Sequence, residues 1–313
     1  MKDSGTNGNS PASAFRWGIY EKALPQQLSW AERLSAAAGA GYQFVEISID
    51  ESEDRLARLS WPCDARQDLH RALASAPASI DTMCLSAHRK YALGSQSKPQ
   101  RREALDIMRR AIDFAAEFGL RIVQVAGYDV FYEESTEQTR ALYMQSILQS
   151  AEWARQSCVT LALENVDRPM VDSIVKGMQF VQAADTPWFQ LYPDIGNLAA
   201  MEKDVTKELL AAGRHLVGLH VKDTRLGEFR RVPLGEGLVD FDGAFRTLKR
   251  MGYNGPFVVE MWNEETTDPE AVSADARRWL AEKLNKAFCA ESVSSGTGTR
   301  TPACMVTRTL AEP

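Results

Sequence analysis

The sequence repeats one unit, in which an amphipathic helical segment ends at a glycine and a short run of β-branched and aromatic residues follows. The glycine stands where the residue after a helix adopts a left-handed conformation, so it marks the turn from helix to strand. A chain built from such units alternates helices with strands, which favours an α/β fold with a parallel sheet covered by helices. The three clearest turns are Gly41-Tyr42, Gly119-Leu120 and Gly252-Tyr253.

Eight short apolar runs have the character of buried strands, and helical patterns lie between most of them. Eight strand–helix units in about 270 residues match the size of a closed (βα)8 barrel, the TIM barrel. An open doubly wound sheet is the alternative, but no GxGxxG motif follows the first run, as a dinucleotide-binding sheet would require. The predicted strands lie near residues 15–21, 44–49, 80–87, 121–127, 160–165, 189–194, 216–222 and 257–262.

The two ends of the chain differ in composition from the part between them. Residues 1–14 are rich in Ser, Gly, Asn and Pro, and the run from Ser292 to Pro302 is polar and of low complexity. Such segments bury too little apolar surface to fold on their own. We therefore expect a catalytic barrel domain over residues 15–284, with disordered segments at 1–14 and 285–313.

Charge and cysteine content exclude several classes of protein. The 36 basic and 42 acidic residues give a formal net charge of −6, which argues against a surface that coats nucleic acid. No apolar stretch is long enough for a membrane span or a signal peptide. Five cysteines without a CxxC pair indicate neither a disulfide framework nor a zinc knuckle. We expect a cytoplasmic protein with a small-molecule substrate and no nucleic-acid or membrane partner; a homodimer is one assembly that the sequence leaves open.

Polar side chains follow the last four predicted strands, at the point where each strand ends. Because the active sites of α/β barrels lie at the carboxyl ends of the strands, these side chains should meet. Buried carboxylates without a partner are costly, so three of them beside one imidazole call for a cation. The set suits one divalent ion among Mn²⁺, Mg²⁺, Co²⁺ and Zn²⁺, although any single acid could instead cap a loop or form a salt bridge. The four residues are Glu164, Asp194, His220 and Glu260.

The loops after the third and seventh predicted strands carry groups suited to an anionic substrate. Ser86, His88 and Arg89 follow the third strand, and Lys222 and Arg231 belong to a glycine-containing loop after the seventh. Barrel phosphate sites often use the loop after strand seven, and arginine offers a planar fork to phosphate oxygens. We expect these five residues to bind substrate, with a solvated charged loop as the alternative for each arginine.

Seven segments of the chain resemble one known family, the L-ribulose-5-phosphate 3-epimerases, also called L-xylulose-5-phosphate 3-epimerases. The resemblance covers roughly residues 15–284 and implies a xylose-isomerase-like barrel. The segments are Gly18-Ile-Tyr-Glu-Lys-Ala-Leu-Pro, Glu46-Ile-Ser-Ile-Asp-Glu-Ser, Leu85-Ser-Ala-His-Arg-Lys-Tyr-Ala-Leu-Gly-Ser, Ala162-Leu-Glu-Asn, Pro193-Asp-Ile-Gly-Asn, His220-Val-Lys-Asp-Thr and Val232-Pro-Leu-Gly-Glu-Gly.

The resemblance implies interconversion of L-xylulose 5-phosphate and L-ribulose 5-phosphate beside a divalent metal bound by the four strand-end residues. Two departures from the related free-ketose 3-epimerases favour a phosphorylated substrate: Asn197 stands where those enzymes usually carry a histidine, and Met170 where they carry an acid. Inversion at C3 needs proton transfer on both faces of the sugar, so we assign Glu164 and Glu260 as the acid/base pair.

Three other functions stay open at this point. An isomerase, epimerase or dehydratase of a related ketose, polyol or hydroxy-keto acid would use the same fold. A phosphodiesterase of the abasic-site endonuclease type would need a histidine-rich cluster of several metals and a basic face, and four histidines with a net charge of −6 argue against it. A sugar-binding module without catalysis would not need two carboxylates on one metal.

Overall fold

A computed structural model of the chain describes residues 10–263 and 266–289, and its strands and helices alternate along the sequence. The strands are β1 Trp17–Tyr20, β2 Phe44–Ile49, β3 Ser79–Leu85, β4 Ile122–Ala126, β5 Thr160–Glu164, β6 Phe189–Leu191, β7 Leu219–Val221, β8 Asp223–Arg225, β9 Glu228–Val232 and β10 Phe257–Val259. The α-helices are α1 Trp30–Gly39, α2 Glu53–Leu56, α3 Cys63–Ser75, α4 Lys98–Phe118, α5 Glu137–Ser157, α6 Ile174–Ala184, α7 Ile195–Ala200, α8 Val205–Ala212, α9 Phe241–Met251 and α10 Pro269–Cys289. Short 3-10 helices lie at Pro11–Ala14, Glu21–Ala23, Ala57–Ser60, Ala87–Arg89 and Pro169–Val171.

Eight of the strands form one parallel sheet in the order β6-β5-β4-β3-β2-β1-β10-β7. The sheet closes because β6 and β7 meet through two parallel bridges, Leu191 with Leu216 and Asp194 with His220. The predicted (βα)8 barrel is therefore confirmed. The two remaining strands, β8 and β9, pair antiparallel and form a hairpin after β7, which the strand pattern of the sequence did not predict.

Local signals in the sequence explain where helices begin and end. Ser29 and Glu32 form the expected capping box at the start of α1, each side chain accepting the other's backbone N–H. Gly41, Gly119 and Gly252 all adopt positive φ after α1, α4 and α9, as the repeated unit predicts.

The barrel has two apolar layers. Side chains alternate along each strand, so one set packs outward against the helices and the other fills the barrel interior. The interior layer consists of Tyr20, Phe44, Cys84, Ile122, Ala162, Tyr192 and Val258. It is packed so closely that a Cβ at Gly18 would lie 2.3 Å from Cε2 of Phe44. This packed interior fills the barrel below the carboxyl ends of the strands.

The described barrel extends slightly beyond residues 15–284. Pro11–Ala14 form a 3-10 helix whose Ala12 carbonyl accepts from the Trp17 indole, and α10 continues to Cys289. Residues 1–9, 264–265 and 290–313, which include most of the two segments predicted to be disordered, lie outside the described residues. No helix in the described part of the chain is both long enough and apolar enough to cross a membrane.

Candidate active site

Four side chains from neighbouring strands converge at the carboxyl end of the barrel. Glu164 ends β5, Asp194 follows β6, His220 lies in β7 and Glu260 follows β10. One potential ligand atom from each of them lies within 4.8 Å of all the others, and all four residues are buried. The structure thus brings together the four residues that the sequence placed at successive strand ends.

Asp194 is held by two asparagines. Its backbone N–H donates to Asn165 Oδ1 over 2.9 Å, and the Asn165 side-chain amide donates back to the Asp194 carbonyl. The carboxylate caps α7, because Oδ1 accepts from the Asn197 backbone N–H over 3.0 Å. The other oxygen, Oδ2, is buried and has no well-directed hydrogen bond.

Lys222 lies inside the carboxylate cluster. Its Nζ is 2.6 Å from Glu260 Oε2 and 2.7 Å from Asp194 Oδ2, where the second contact is an ion pair without hydrogen-bond geometry. Its charge and loop position predicted that Lys222 binds substrate. The side chain follows β7, points into the barrel mouth and contacts the acids of the two neighbouring strands, and its contact with substrate stays a prediction.

His220 connects the cluster to the barrel interior. Its Nδ1 lies 2.9 Å from Glu164 Oε1, and its Nε2 lies 2.6 Å from Glu46 Oε1. Gln124 donates to the second oxygen of Glu164 over 2.5 Å. Sequence reasoning missed Glu46, although an acid inside the apolar run Phe44-Val45-Glu46-Ile47 was a signal, since a fully buried carboxylate needs a partner.

Burial and crowding shift the pKa values of the cluster in different directions. Burial raises the pKa of Asp194 to about 7, with Lys222 acting against it, and burial also raises the pKa of Glu164. Burial also tends to raise the pKa of Glu260, but the positive charges of Lys222 and His220 outweigh it and lower the pKa to about 2. For His220 burial disfavours the charged form, yet the nearby carboxylates, Glu46 foremost, raise its pKa well above the usual value.

The donor set fits a divalent cation. Three carboxylates and one imidazole nitrogen form a mixed oxygen-and-nitrogen set that Mn²⁺, Mg²⁺, Co²⁺ and Zn²⁺ accept. A cation would also relieve the mutual repulsion of acids that share one small buried space. Within the cluster, Asp194 Oδ2 makes an undirected contact with Lys222 and His220 Nδ1 contacts Glu164, and both atoms would become ligands when a cation is bound.

The cluster opens into a cavity of about 560 Å³, which is large enough for a phosphorylated pentose. Glu164 and Glu260 line this cavity, whereas Asp194 and His220 are not among its lining residues. Positive and aromatic side chains form much of the remaining lining, together with the acids Asp167 and Glu228. The positive and aromatic side chains include Tyr20, Lys22, Arg89, Tyr128, Phe131, Arg230 and Trp262.

The predicted substrate-binding residues are only partly at this cavity. Ser86, Arg89 and Lys222 line it, as expected. His88 does not, because its ring is buried, with Nδ1 2.9 Å from the Tyr91 carbonyl oxygen. Arg231 also lies elsewhere: it lines a second, smaller cavity behind Trp262. Arg230, the preceding residue of β9, lines the first cavity instead.

The β8–β9 hairpin is tied down by one carboxylate. Asp223 Oδ2 accepts from the backbone N–H groups of Gly235 and Gly237 over 2.8 and 2.9 Å. Its Oδ1 accepts from those of Thr224 and Val239. Asp223 thereby fixes the loop after β9, and with it the hairpin that carries Arg230 to the cavity.

Comparison with known proteins agrees with this architecture. Residues 34–283 match the family described as xylose isomerase-like TIM barrel. The L-ribulose-5-phosphate 3-epimerase UlaE of Escherichia coli K12 is 47% identical over 275 residues, which is 88% of this chain and 97% of the relative. Among solved structures, an L-ribulose 3-epimerase superposes with a TM-score of 0.73 at 20% identity, covering 91% of this chain and 100% of its own.

A second structural neighbour is the D-allulose 3-epimerase from Methylomonas sp. in complex with D-allulose, with a TM-score of 0.68 at 19% identity over 86% of this chain and 97% of its own. At such identities the structural likeness shows the fold alone. The family match and the relative at 47% identity show which family the chain belongs to. The chain therefore belongs to the xylose isomerase-like TIM barrel family and, within it, to the L-ribulose-5-phosphate 3-epimerases.

Proposed function

We propose that this chain interconverts L-ribulose 5-phosphate and L-xylulose 5-phosphate by removing and returning the proton at C3, with one divalent metal ion bound by Glu164, Asp194, His220 and Glu260. One observation carries the proposal: of the four clustered residues, the two glutamates also line the cavity. They can therefore touch both a cation and a substrate. The relative named as an L-ribulose-5-phosphate 3-epimerase supports the choice of substrate.

The chemistry follows from where the proton has to go. The C3 proton of a 2-ketose is α to a carbonyl, and its removal leaves negative charge that spreads to O2. A bound divalent cation supplies Lewis acidity for that charge. Inversion then requires a proton donor on the face opposite the base.

Glu164 and Glu260 are suited to act on opposite faces. Glu164 belongs to β5 and Glu260 follows β10, and β6 and β7 lie between them around the closed barrel. Their carboxylates therefore approach the cavity from two sides, while Asp194 and His220 fill the arc between. One glutamate takes the C3 proton of one epimer, and the other returns a proton to the opposite face.

Arg89 and Arg230 are the phosphate-binding residues in this proposal. Both guanidinium groups lie over aromatic rings at the cavity rim: Arg89 Cζ is 5.2 Å from the Phe131 ring centre, and Arg230 Cζ is 4.9 Å from that of Trp262. A ring beneath a guanidinium limits its motion while leaving its N–H groups free for oxygen acceptors. The Nε of Arg89 is buried without a hydrogen-bond partner, so its N–H can donate to a phosphate oxygen.

The direct test is incubation of the protein, reconstituted with Mn²⁺ and then exchanged into Mg²⁺ for NMR, with each of the two pentulose 5-phosphates. We expect one epimer to convert to the other and one metal ion per chain. In deuterated solvent the C3 proton should be replaced during conversion. No interconversion would refute the function, and about three metal ions per chain would indicate a phosphodiesterase cluster instead.

Two matched sets of variants test the roles. E164Q and E260Q should each lose roughly 10²–10⁴-fold in kcat, whereas E236Q, which changes an exposed acid in the loop after β9, should not. R89A should raise KM for the phosphorylated sugar more than it lowers kcat, whereas R71A on α3 should change neither. An E260Q variant that inverts C3 at the wild-type rate would remove Glu260 from the acid/base pair.

A further inference from the structure

Glu46 is a buried acid that the proposed reaction does not use. It lies in the middle of β2, fully buried and facing the barrel interior, and it does not line the substrate cavity. A carboxylate at such a position gains little stability over an apolar side chain, because its desolvation offsets the hydrogen bonds that it makes. The contacts of the Glu46 carboxylate indicate a role in orienting a neighbouring side chain.

The Glu46 carboxylate is oriented by two donors on one of its oxygens. Oε2 accepts from the Thr82 hydroxyl over 2.8 Å and from the Tyr192 hydroxyl over 3.1 Å. These donors come from β3 and from the residue that follows β6, so two further parts of the barrel fix the position of the side chain. The arrangement leaves Oε1 for a single partner, the Nε2 of His220 at 2.6 Å.

Tyr192 holds both members of this pair. Its ring stands edge-on to His220, with ring centres 4.9 Å apart at 81°, while its hydroxyl donates to Glu46. The ring fits because residue 218 is glycine: a Cβ there would lie 2.0 Å from Cε2 of Tyr192. The imidazole is thus confined both by packing and by the carboxylate behind it.

The two nitrogens of His220 face different surroundings. Nε2 points to Glu46, inside the barrel and away from the cavity, and Nδ1 points to Glu164 and the ligand cluster. A neutral imidazole carries its proton on one nitrogen and a lone pair on the other. With a cation in the site the imidazole is neutral, and an N–H that donates to Glu46 then leaves the lone pair on Nδ1, the nitrogen that faces the candidate metal site.

We propose that Glu46 is a positioning residue that keeps the proton of His220 on Nε2, so that Nδ1 binds the divalent cation. The inference rests on the proposed metal site but not on the identity of the sugar. Histidines that bind metals commonly donate their other N–H to a carboxylate, and loss of that acceptor costs about 10–100-fold in metal affinity.

The first experiment needs no variant. The chain contains four histidines, so ¹⁵N-histidine labelling gives a spectrum simple enough to assign. In the Zn²⁺-loaded protein, long-range ¹H–¹⁵N correlations should show one histidine with a protonated Nε2 and a metal-bound Nδ1, and H220N should remove its signals. A protonated Nδ1, or metal bound through Nε2, would overturn the inference.

The second experiment measures Mn²⁺ affinity by calorimetry. E46Q keeps the shape but weakens the acceptor, and we expect a Kd about 10–100-fold higher, with kcat largely restored at saturating Mn²⁺. E46D should not rescue affinity, because its shorter side chain cannot span the distance. T82V is the matched control: it removes one hydrogen bond to Glu46 but leaves the contact with His220, so its Kd should change little.

The outcomes separate this inference from the proposed function. Wild-type protein that binds Mn²⁺ but does not epimerise the sugar phosphate would refute the function and leave the role of Glu46 standing. An E46Q variant that folds, binds Mn²⁺ with wild-type Kd and shows an unchanged His220 spectrum would refute the role of Glu46. A wild-type protein that binds no Mn²⁺ would refute both.

Discussion

The buried His88 should make the protein less stable as the pH falls below neutral. Burial lowers the pKa of His88 to about 4, and the hydrogen bond with the Tyr91 carbonyl opposes this only weakly. Its Nε2 is buried without a partner. The ring is held neutral, with its N–H on Nδ1 directed at that carbonyl, and it supports the loop after β3 that carries Arg89 to the cavity.

The sign and size follow from proton linkage. An unfolded chain takes up a proton at His88 near pH 6.5, whereas the folded protein does so only near pH 4. Stability contributed by the neutral ring is therefore present above pH 6.5 and is lost as the pH falls towards 4. The full difference is about 3 kcal/mol, of which about 2 kcal/mol should be lost by pH 5.

The assay compares wild type with H88N by urea unfolding at several pH values between 7.5 and 5, at a fixed concentration of free metal. Asparagine can donate to the Tyr91 carbonyl but does not titrate, so other groups contribute equally to both proteins. The wild type should lose about 2 kcal/mol more than H88N over this range. Parallel curves for the two proteins would refute the reasoning. H70N, which removes a half-exposed histidine on α3, controls for the loss of any histidine.

Three further predictions concern the packing, the hairpin and the metal. G18A should lower the free energy of unfolding by about 1–3 kcal/mol, because its Cβ would overlap Phe44; F44L should partly rescue it, and an undiminished urea midpoint would contradict the overlap. D223N should lower the free energy of unfolding by about 2 kcal/mol and raise KM for the sugar phosphate, because Asp223 fixes the hairpin that carries Arg230. An unchanged KM would show that the hairpin does not contribute to substrate binding. Chelation by EDTA should abolish activity and lower Tm, because metal present at 100 times its Kd stabilises the folded protein by about 3 kcal/mol. Full activity after chelation would contradict the metal site.

The sequence predicted those features that depend on local or periodic rules. Glycines at helix ends, apolar runs and their spacing all obey short-range geometry, so the strands and the closed barrel follow from them. Strand-end positions then predicted that Glu164, Asp194, His220 and Glu260 would meet, because parallel strands in a barrel share one carboxyl edge.

Other features depend on which side chains face each other across the barrel, and periodicity does not determine this. Glu46 reaches His220 from a strand that is 174 residues away in sequence, so nothing local connects the two. A shift of one residue along β9 decides whether Arg230 or Arg231 faces the cavity, and the loop sequence does not fix that register. Lys222 was predicted to bind substrate because of its charge, whereas its position in the structure is set by ion pairs with two acids at the ends of neighbouring strands.

The bridge between Asp194 and His220 closes the barrel between two of its shortest strands. β6 and β7 each span three residues, and across this seam the His220 backbone N–H donates to the Pro193 carbonyl over 2.9 Å. A cation bound by side chains from both edges would cross-link strands β1–β6 to strands β7 and β10, much as a disulfide closes a loop. Amide hydrogen exchange at His220 should therefore slow when the site is filled, and it would report metal occupancy without any substrate.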